Sequence, residues 1–395
     1  MKDYDAIVLG AGPAGSSAAF FLAQAGLRVA IVEKSPFPRR KVCGEFVSAT
    51  TFPILDAMGV GAALRAAGGP PTSRAGAFFG SRIATAPMPK VEGAEGRGRT
   101  LARAVLDPTL LEAAQGEGVE AFQPWKALTM ERKGERHVVT IGVGDRAETL
   151  RARFVVAAHG SWEAGDLPTQ PPRDHRPSDM LAFKGFFLDA TFDHDLMILA
   201  SFPGGYGGMV HRDRDVVGLS FCVRRDALAR ARARHPAPTA WTSLLESVCE
   251  TNRGVAEAVA GARLEAPAKA AGPLRPGVRT LAADGVFRVG NAAGEAHPTI
   301  AEGISMAIQS GRLLADYLPF DDEKGYAAAW RAQFGGRIRT ADALARICMG
   351  PAADIVAPAL EAYPALVTAA AALTGKTKAL RVDGSRSGTI RRIWS

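Results

Sequence analysis

Three groups of residues in this chain have types and spacings that could do chemistry. Gly10-Ala-Gly12-Pro13-Ala14-Gly15 is a G-x-G-x-x-G loop that directly follows the apolar run ending at Leu9. In such a loop the first glycine permits a tight turn, the second lets backbone approach a pyrophosphate, and the third allows close helix–strand packing. A helix opening there adds unpaired N–H donors and a positive dipole end. Glu33, at the end of the next apolar run and followed by Lys34, is placed to accept a ribose hydroxyl; its carboxylate repels a 2′-phosphate. The pattern points to the adenosine half of FAD or NAD, not NADP. The second group, Lys41-Val-Cys43-Gly44-Glu45, puts an amine, a thiol and a carboxyl within five residues, around a glycine that lets the chain pass close to a ligand. The third is His211 and His297, either of which could act as general acid or base near neutral pH, although a lone histidine is more often structural.

The elements that must position these groups are legible around them. Residues 4–9 suit a buried parallel strand, Ser16 to Ala25 a helix closed by Gly26, and Leu27 to Val32 a second strand. Later, Val286-Phe-Arg-Val-Gly290-Asn291 reads as a strand running into small residues, and Gly303-Ile304 opens a long helix to about Leu318. Between these, Leu181–Leu188, Leu196–Phe202, Tyr206–His211 and Val216–Val223 read as antiparallel strands. Any one of their side chains, among them Phe183, Met197, Tyr206 and Met209, is more often simple core, but together, with Pro203-Gly204-Gly205 and Gly207-Gly208 at the bend, they suit a greasy pocket wall over a ligand. From Ala341 the chain is Ala-rich and helical, broken at Pro351, Pro358 and Pro364. A packed helical cap is favoured over a membrane anchor, because no stretch reaches spanning length; peripheral bilayer contact is the lesser alternative.

Bulk properties narrow the class. A chain of 395 residues with 47% hydrophobic content can bury a large core in two or three lobes. The net charge of +8 is spread along the chain rather than clustered with aromatics, which favours anionic small molecules or a generally basic surface over nucleic acid. Cys43, Cys222, Cys249 and Cys348 form no CxxC pair and no zinc-like spacing, so no disulfide framework and no metal site are expected. With no signal-peptide pattern ahead of the first strand, the expected location is the cytoplasm.

Several segments resemble the glutathione-reductase-like flavoprotein superfamily, in particular geranylgeranyl reductases and aromatic hydroxylases of the para-hydroxybenzoate hydroxylase type (group A flavoprotein monooxygenases). They are the Gly10 loop, Lys41-Val-Cys43-Gly44-Glu45, Arg103-Ala-Val-Leu106-Asp107, Gly290-Asn291 with His297-Pro298 and Gly303-Ile304, and the Tyr363 to Lys376 tail. The resemblance spans about residues 4 to 380. It departs from the family at Asn291, where an Asp is usual, at His159-Gly160, where Asp-Gly is usual, and in lacking most of the reductases' Y-x-W-x-F-P motif.

The resemblance implies an α/β fold: a glutathione-reductase-like Rossmann FAD-binding domain (1–175 and 265–320), an inserted antiparallel β-sheet substrate domain (176–264) and a C-terminal helical cap (321–395). It implies FAD as cofactor with NAD(P)H as electron donor, the donor being put in question by His159. Cofactor contacts are expected at Gly10, Gly12, Pro13, Ala14, Gly15, Glu33, Lys34, Lys41, Cys43, Gly44, Arg103, Gly290, Asn291, Gly303 and Ile304. Candidate catalytic residues are Cys43, Glu45, His211 and His297. The expected reaction is hydroxylation of a small, largely apolar or aromatic metabolite through a peroxyflavin. The alternatives are carbon–carbon double-bond reduction and a flavin-binding redox module without turnover.

Overall fold

The computed structural model describes residues 2–91, 97–161, 165–170 and 174–381. The first part of the chain forms β1 (Lys2–Leu9), α1 (Pro13–Gln24), β2 (Val29–Val32), β3 (Arg74–Phe79), β4 (Arg82–Pro87) and α2 (Arg103–Gly116). Next come β5 (Glu120–Phe122), β6 (Lys126–Lys133), β7 (Arg136–Val143) and β8 (Arg146–Ala157). The middle contains β9 (Met180–Leu188), β10 (Leu196–Phe202), β11 (Gly205–His211) and β12 (Val216–Arg224), then α3 (Arg225–Arg234), α4 (Ala240–Thr251) and α5 (Arg253–Val259). Last are β13 (Lys269–Leu274), β14 (Val286–Arg288), α6 (Gly303–Leu314), α7 (Glu323–Met349), α8 (Ala352–Ala362) and α9 (Ala365–Ala371).

Ala6 to Leu9 is apolar without alternation because β1 is covered on both faces. It pairs in parallel with β8 and β2, which in turn pair in parallel with β14 and β5. One face packs on α1, α2 and α6 through residues such as Phe20, Leu110 and Ile308. The other buries Ile7, Leu9, Val139 and Val155 with β6 and β7, which join the β8 edge as an antiparallel meander. This is the Rossmann-like arrangement expected, with α1 beginning at Pro13 on the loop that leaves β1.

In the second sheet the order is β9–β12–β11–β10–β3–β4, with β13 against the outer side of β9. All its pairs are antiparallel except β10 with β3. The four middle strands lie within a residue of their expected bounds. Two features differ from expectation. Residues 74–87 belong to this sheet, although their place in the chain put them with the dinucleotide unit, and α3 to α5 follow the strands and cover one sheet face. Phe183, Phe187, Phe202, Met209 and Phe221 form a core with those helices, Phe187 and Phe221 against the Trp241 ring. Phe183, Met209 and Phe221 also border an internal cavity. The opposite face carries Ala75, Ala77, Phe79, Ala182, Tyr206 and Cys222 and meets α7, α8 and α9.

The tail is tied down by buried cations. Arg337 on α7, fully buried, donates from Nη1 to Gln309 Oε1 (3.0 Å) and from Nη2 to the Lys378 carbonyl (2.7 Å). Among the described residues no single helix is long and apolar enough to cross a membrane.

Candidate active site

A cavity of about 550 Å³ runs from the Gly10 loop, past residues 41–46 and the start of α6, along the second sheet to the helical cap. At its first end two glycines are sterically obligatory. Gly10 has φ +109°, and a Cβ on Gly15 would lie 1.8 Å from the Gly10 carbonyl oxygen. Gly12 is different: a Cβ there would meet only Arg103 Nη2 at 3.6 Å and Arg39 Nη2 at 3.9 Å. Protein packing does not demand glycine at 12, yet the position lies at the start of α1 under two guanidinium groups. Helix α1 also has no side-chain N-cap bond and no acid in its first turn, so its first N–H groups are left for an anion.

Glu33 anchors this end. Its Oε2 accepts from the Ala11 N–H (3.0 Å), and its Oε1 accepts from the Ser35 N–H (2.8 Å) and Arg39 Nη1 (2.7 Å). Asp107, fully buried, accepts a two-point bond from Arg103 (2.6 and 2.7 Å) and a further one from Arg39 Nε (3.1 Å). Two carboxylates thus hold two guanidinium groups beside the start of α1. Sequence reasoning named Glu33 and Arg103 but missed Arg39, whose only signal was its basic place six residues after the strand-end acid.

In the 41–46 loop, the Glu45 N–H points to Cys43 Sγ at 3.4 Å. Glu45 is buried at a left-handed φ of 62°, and its Oε1 accepts from the Arg103 N–H (3.3 Å) at the start of α2, where a carboxylate meets the positive helix end. Ala301, also on the cavity wall, has φ 51°. Non-glycine residues held in this region are costly and gather at functional sites.

At the start of α6 the helix N-cap Glu302 makes no capping bond of its own, and above Gly303 the space is open. Instead Glu302, fully buried, accepts from Ser48 Oγ (3.0 Å) and from Lys376 Nζ (3.2 Å), and Lys376 also donates to the Ile300 carbonyl (2.7 Å). Burial lowers the Lys376 pKa, opposed by the Glu302 carboxylate. A lysine of the tail therefore closes this part of the cavity.

Asn291 lines the cavity, and its amide donates to Glu295 Oε1 (3.1 Å). Glu295 is buried, accepts from Ser161 Oγ (2.8 Å) and has its pKa raised by burial. This accounts for Asn at 291: an Asp there would put a second carboxylate against a buried first one. Glu295 was not legible as part of the site.

Most expected site residues meet in this cavity: Gly10, Gly12, Pro13, Ala14, Glu33, Lys34, Lys41, Cys43, Gly44, Glu45, Arg103, Asn291, His297, Gly303 and Ile304 line it. Gly15 and Gly290 do not; they are contact glycines behind it. Gly290 has φ +57°, and a Cβ there would come within 2.7 Å of Ala14 Cβ.

The two histidines part company. His297 Nδ1 lies 3.0 Å from the Tyr206 hydroxyl and its Nε2 3.7 Å from Asp342, with burial lowering its pKa. His211 lies outside the cavity lining, with Nδ1 3.0 Å from the Asp213 carbonyl and Nε2 2.9 Å from that of Phe192, stacked on His194. Both its nitrogens face backbone carbonyls, and the fold does not bring it together with the other candidate residues in the cavity.

A family model described as FAD binding domain matches residues 3–320. The chain is 26% identical over 357 residues to a menaquinone reductase of Mycobacterium tuberculosis, covering 87% of this chain and 82% of that protein. It is 27% identical over 361 residues to digeranylgeranylglycerophospholipid reductase 2 of Methanopyrus kandleri, covering 84% and 83%. Its fold is like that of the myxobacterial chondrochloren halogenase, with TM-score 0.76, 19% identity, and coverage of 100% of this chain and 97% of that one.

Proposed function

The chain belongs to the FAD binding domain family and is an FAD-dependent oxidoreductase, and from that premise we propose that it hydroxylates a small, largely apolar or aromatic metabolite beside the flavin. The observation that carries this reading is the continuity of the cavity: the groove of the Gly10 loop opens without a break into a chamber walled by Ala77, Phe79, Leu199, Ile347 and Leu360.

The residues present fit FAD. The start of α1, with Arg39 and Arg103 above Gly12, suits the pyrophosphate; Glu33 suits the adenosine ribose; Asn291 suits the ribityl chain. The uncapped start of α6 suits negative charge on the ring. Bound there, FAD supplies two-electron redox chemistry and, once reduced, reaction with dioxygen. The protein's share is to position and to exclude water. Residues 41–46 and 296–301 approach the same part of the cavity, the cap closes its far end, and His297, whose pKa burial lowers, lines the chamber with Nδ1 held at the Tyr206 hydroxyl. A reduced nicotinamide supplies the electrons.

The test is a single turnover. Protein reduced anaerobically with NADH or NADPH is mixed with isotopically labelled dioxygen and a panel of apolar aromatics including 2-naphthol. Product carrying the label supports hydroxylation. A second reading, double-bond reduction, is favoured by the two reductases similar to this chain over more than four-fifths of its length. It expects reoxidation of the flavin by an isoprenoid alkene without oxygen, and no label in any product.

A further inference from the structure

The cavity face of the second sheet is apolar along most of its length and polar at the edge that meets the 41–46 loop. The register pairs Lys184 of β9 with Ser220 of β12, and Ser220 with Gly208 of β11, so one row crosses the sheet from Lys184 to Leu199 and Ala77. Lys184 is 5% exposed and lines the cavity. Its ammonium stands 4.8 Å from the Phe186 ring centroid and has no hydrogen bond or ion pair among the described residues. A Cβ on Gly218 would come within 2.5 Å of it, so glycine at 218 keeps the space the amine occupies.

Two more unsatisfied atoms line the cavity. Ser220 Oγ and Glu45 Oε2 are buried and have no hydrogen-bond partner among the described residues. Burial lowers the Lys184 pKa, with the Glu45 carboxylate and the Cys43 thiol opposing the shift and Arg212 adding to it. A buried polar atom left without a partner is costly, so a ligand that answers Ser220 Oγ and Glu45 Oε2 together with the Lys184 amine is strongly selected.

The arrangement specifies the ligand group. A cation and a hydroxyl donor alone would suit a carboxylate, but the unbonded Glu45 oxygen that lines the same cavity repels one. A hydroxyl fits all three: its oxygen accepts from Lys184 and Ser220, and its proton goes to Glu45 Oε2. We propose that Lys184, Ser220 and Glu45 form a recognition pole for a hydroxyl group on an otherwise apolar ligand, whose body lies along the Leu199 and Ala77 row toward the cap. The inference rests on the reading that this cavity takes substrate beside FAD. It makes Lys184 and Ser220 the residues that orient the substrate, and Glu45 the group that takes or shares its proton.

The test is calorimetric titration of the FAD-loaded protein with three probes of one shape: 2-naphthol, 2-methylnaphthalene and 2-naphthoate. The expected result is a preference of about tenfold or more for 2-naphthol over both others, the scale of one well-placed hydrogen bond to a charged group. Lys184→Met and Ser220→Ala should each erode the preference over 2-methylnaphthalene while retaining FAD and melting temperature, and Glu45→Gln should relax the rejection of 2-naphthoate. Should Lys184→Met fold poorly, Ser220→Ala and Glu45→Gln decide. Equal binding of 2-naphthol and 2-methylnaphthalene, tightest binding of 2-naphthoate, or an undiminished preference in the well-folded variants overturns the proposal. FAD-loaded protein that does not discriminate overturns the pole and leaves the flavin reading standing; protein that holds no FAD overturns both.

Discussion

Glu33 shows how one carboxylate can serve both fold and ligand. It satisfies the Ala11 and Ser35 N–H groups and pairs with Arg39, so it shapes the glycine loop before any ribose reaches it. Glu33→Ala should weaken FAD binding by about 1–3 kcal/mol, the range for bonds to a charged acceptor, as read by flavin titration. Unchanged affinity would reduce Glu33 to a loop anchor. His297 gives a pH signature. Burial depresses its pKa below the ordinary 6.5, so the unfolded chain binds the proton more readily. The stability this contributes is full above pH 6.5 and is lost as pH falls from there through the lower folded value. His297→Gln should therefore flatten the acid side of a melting-temperature profile below pH 6.5, and an unchanged slope would place the titration elsewhere. His137, also lowered by burial, has the same sign and serves as the internal comparison.

At the scale of elements, the Gly10 loop separates what folding needs from what the ligand needs. Gly15→Ala drives a methyl into the Gly10 carbonyl and should lower the melting temperature even in FAD-free protein. Gly12→Ala meets only two side-chain ends at ordinary contact distance, so the FAD-free melting temperature should hold while bound flavin falls. Equal melting losses in both variants would mean that Gly12 is structural too. The strand–loop–helix–strand unit was legible because its signals are local: an apolar run, glycines at fixed spacing and an acid at the next strand end. Residues 74–87 were not legible as part of the second sheet, because their partner β10 lies about 120 residues later and nothing local names it. Lys184 was overlooked for a related reason. A single lysine within an apolar strand reads as an outward-facing charge until the register shows that it faces inward beside Ser220.

Across the whole molecule, the tail returns to the beginning of α6. The Lys376–Glu302 pair is almost fully buried at both ends, and Lys376 also faces the Phe46 ring at 5.0 Å. Removing one partner of such a pair costs about 3–5 kcal/mol because the other charge stays buried alone. Lys376→Met should accordingly lower stability and speed FAD release, whereas a variant with Glu302 also replaced by Gln should recover part of the stability; no recovery would deny the coupling. The cavity joining the Gly10 loop to the start of α6 is expected to hold FAD. The most direct measurement is the flavin content of the purified protein. The expected result is one non-covalent flavin per chain, released by acid precipitation and chromatographing as FAD. A well-folded, colourless protein that cannot be reconstituted with FAD would contradict it.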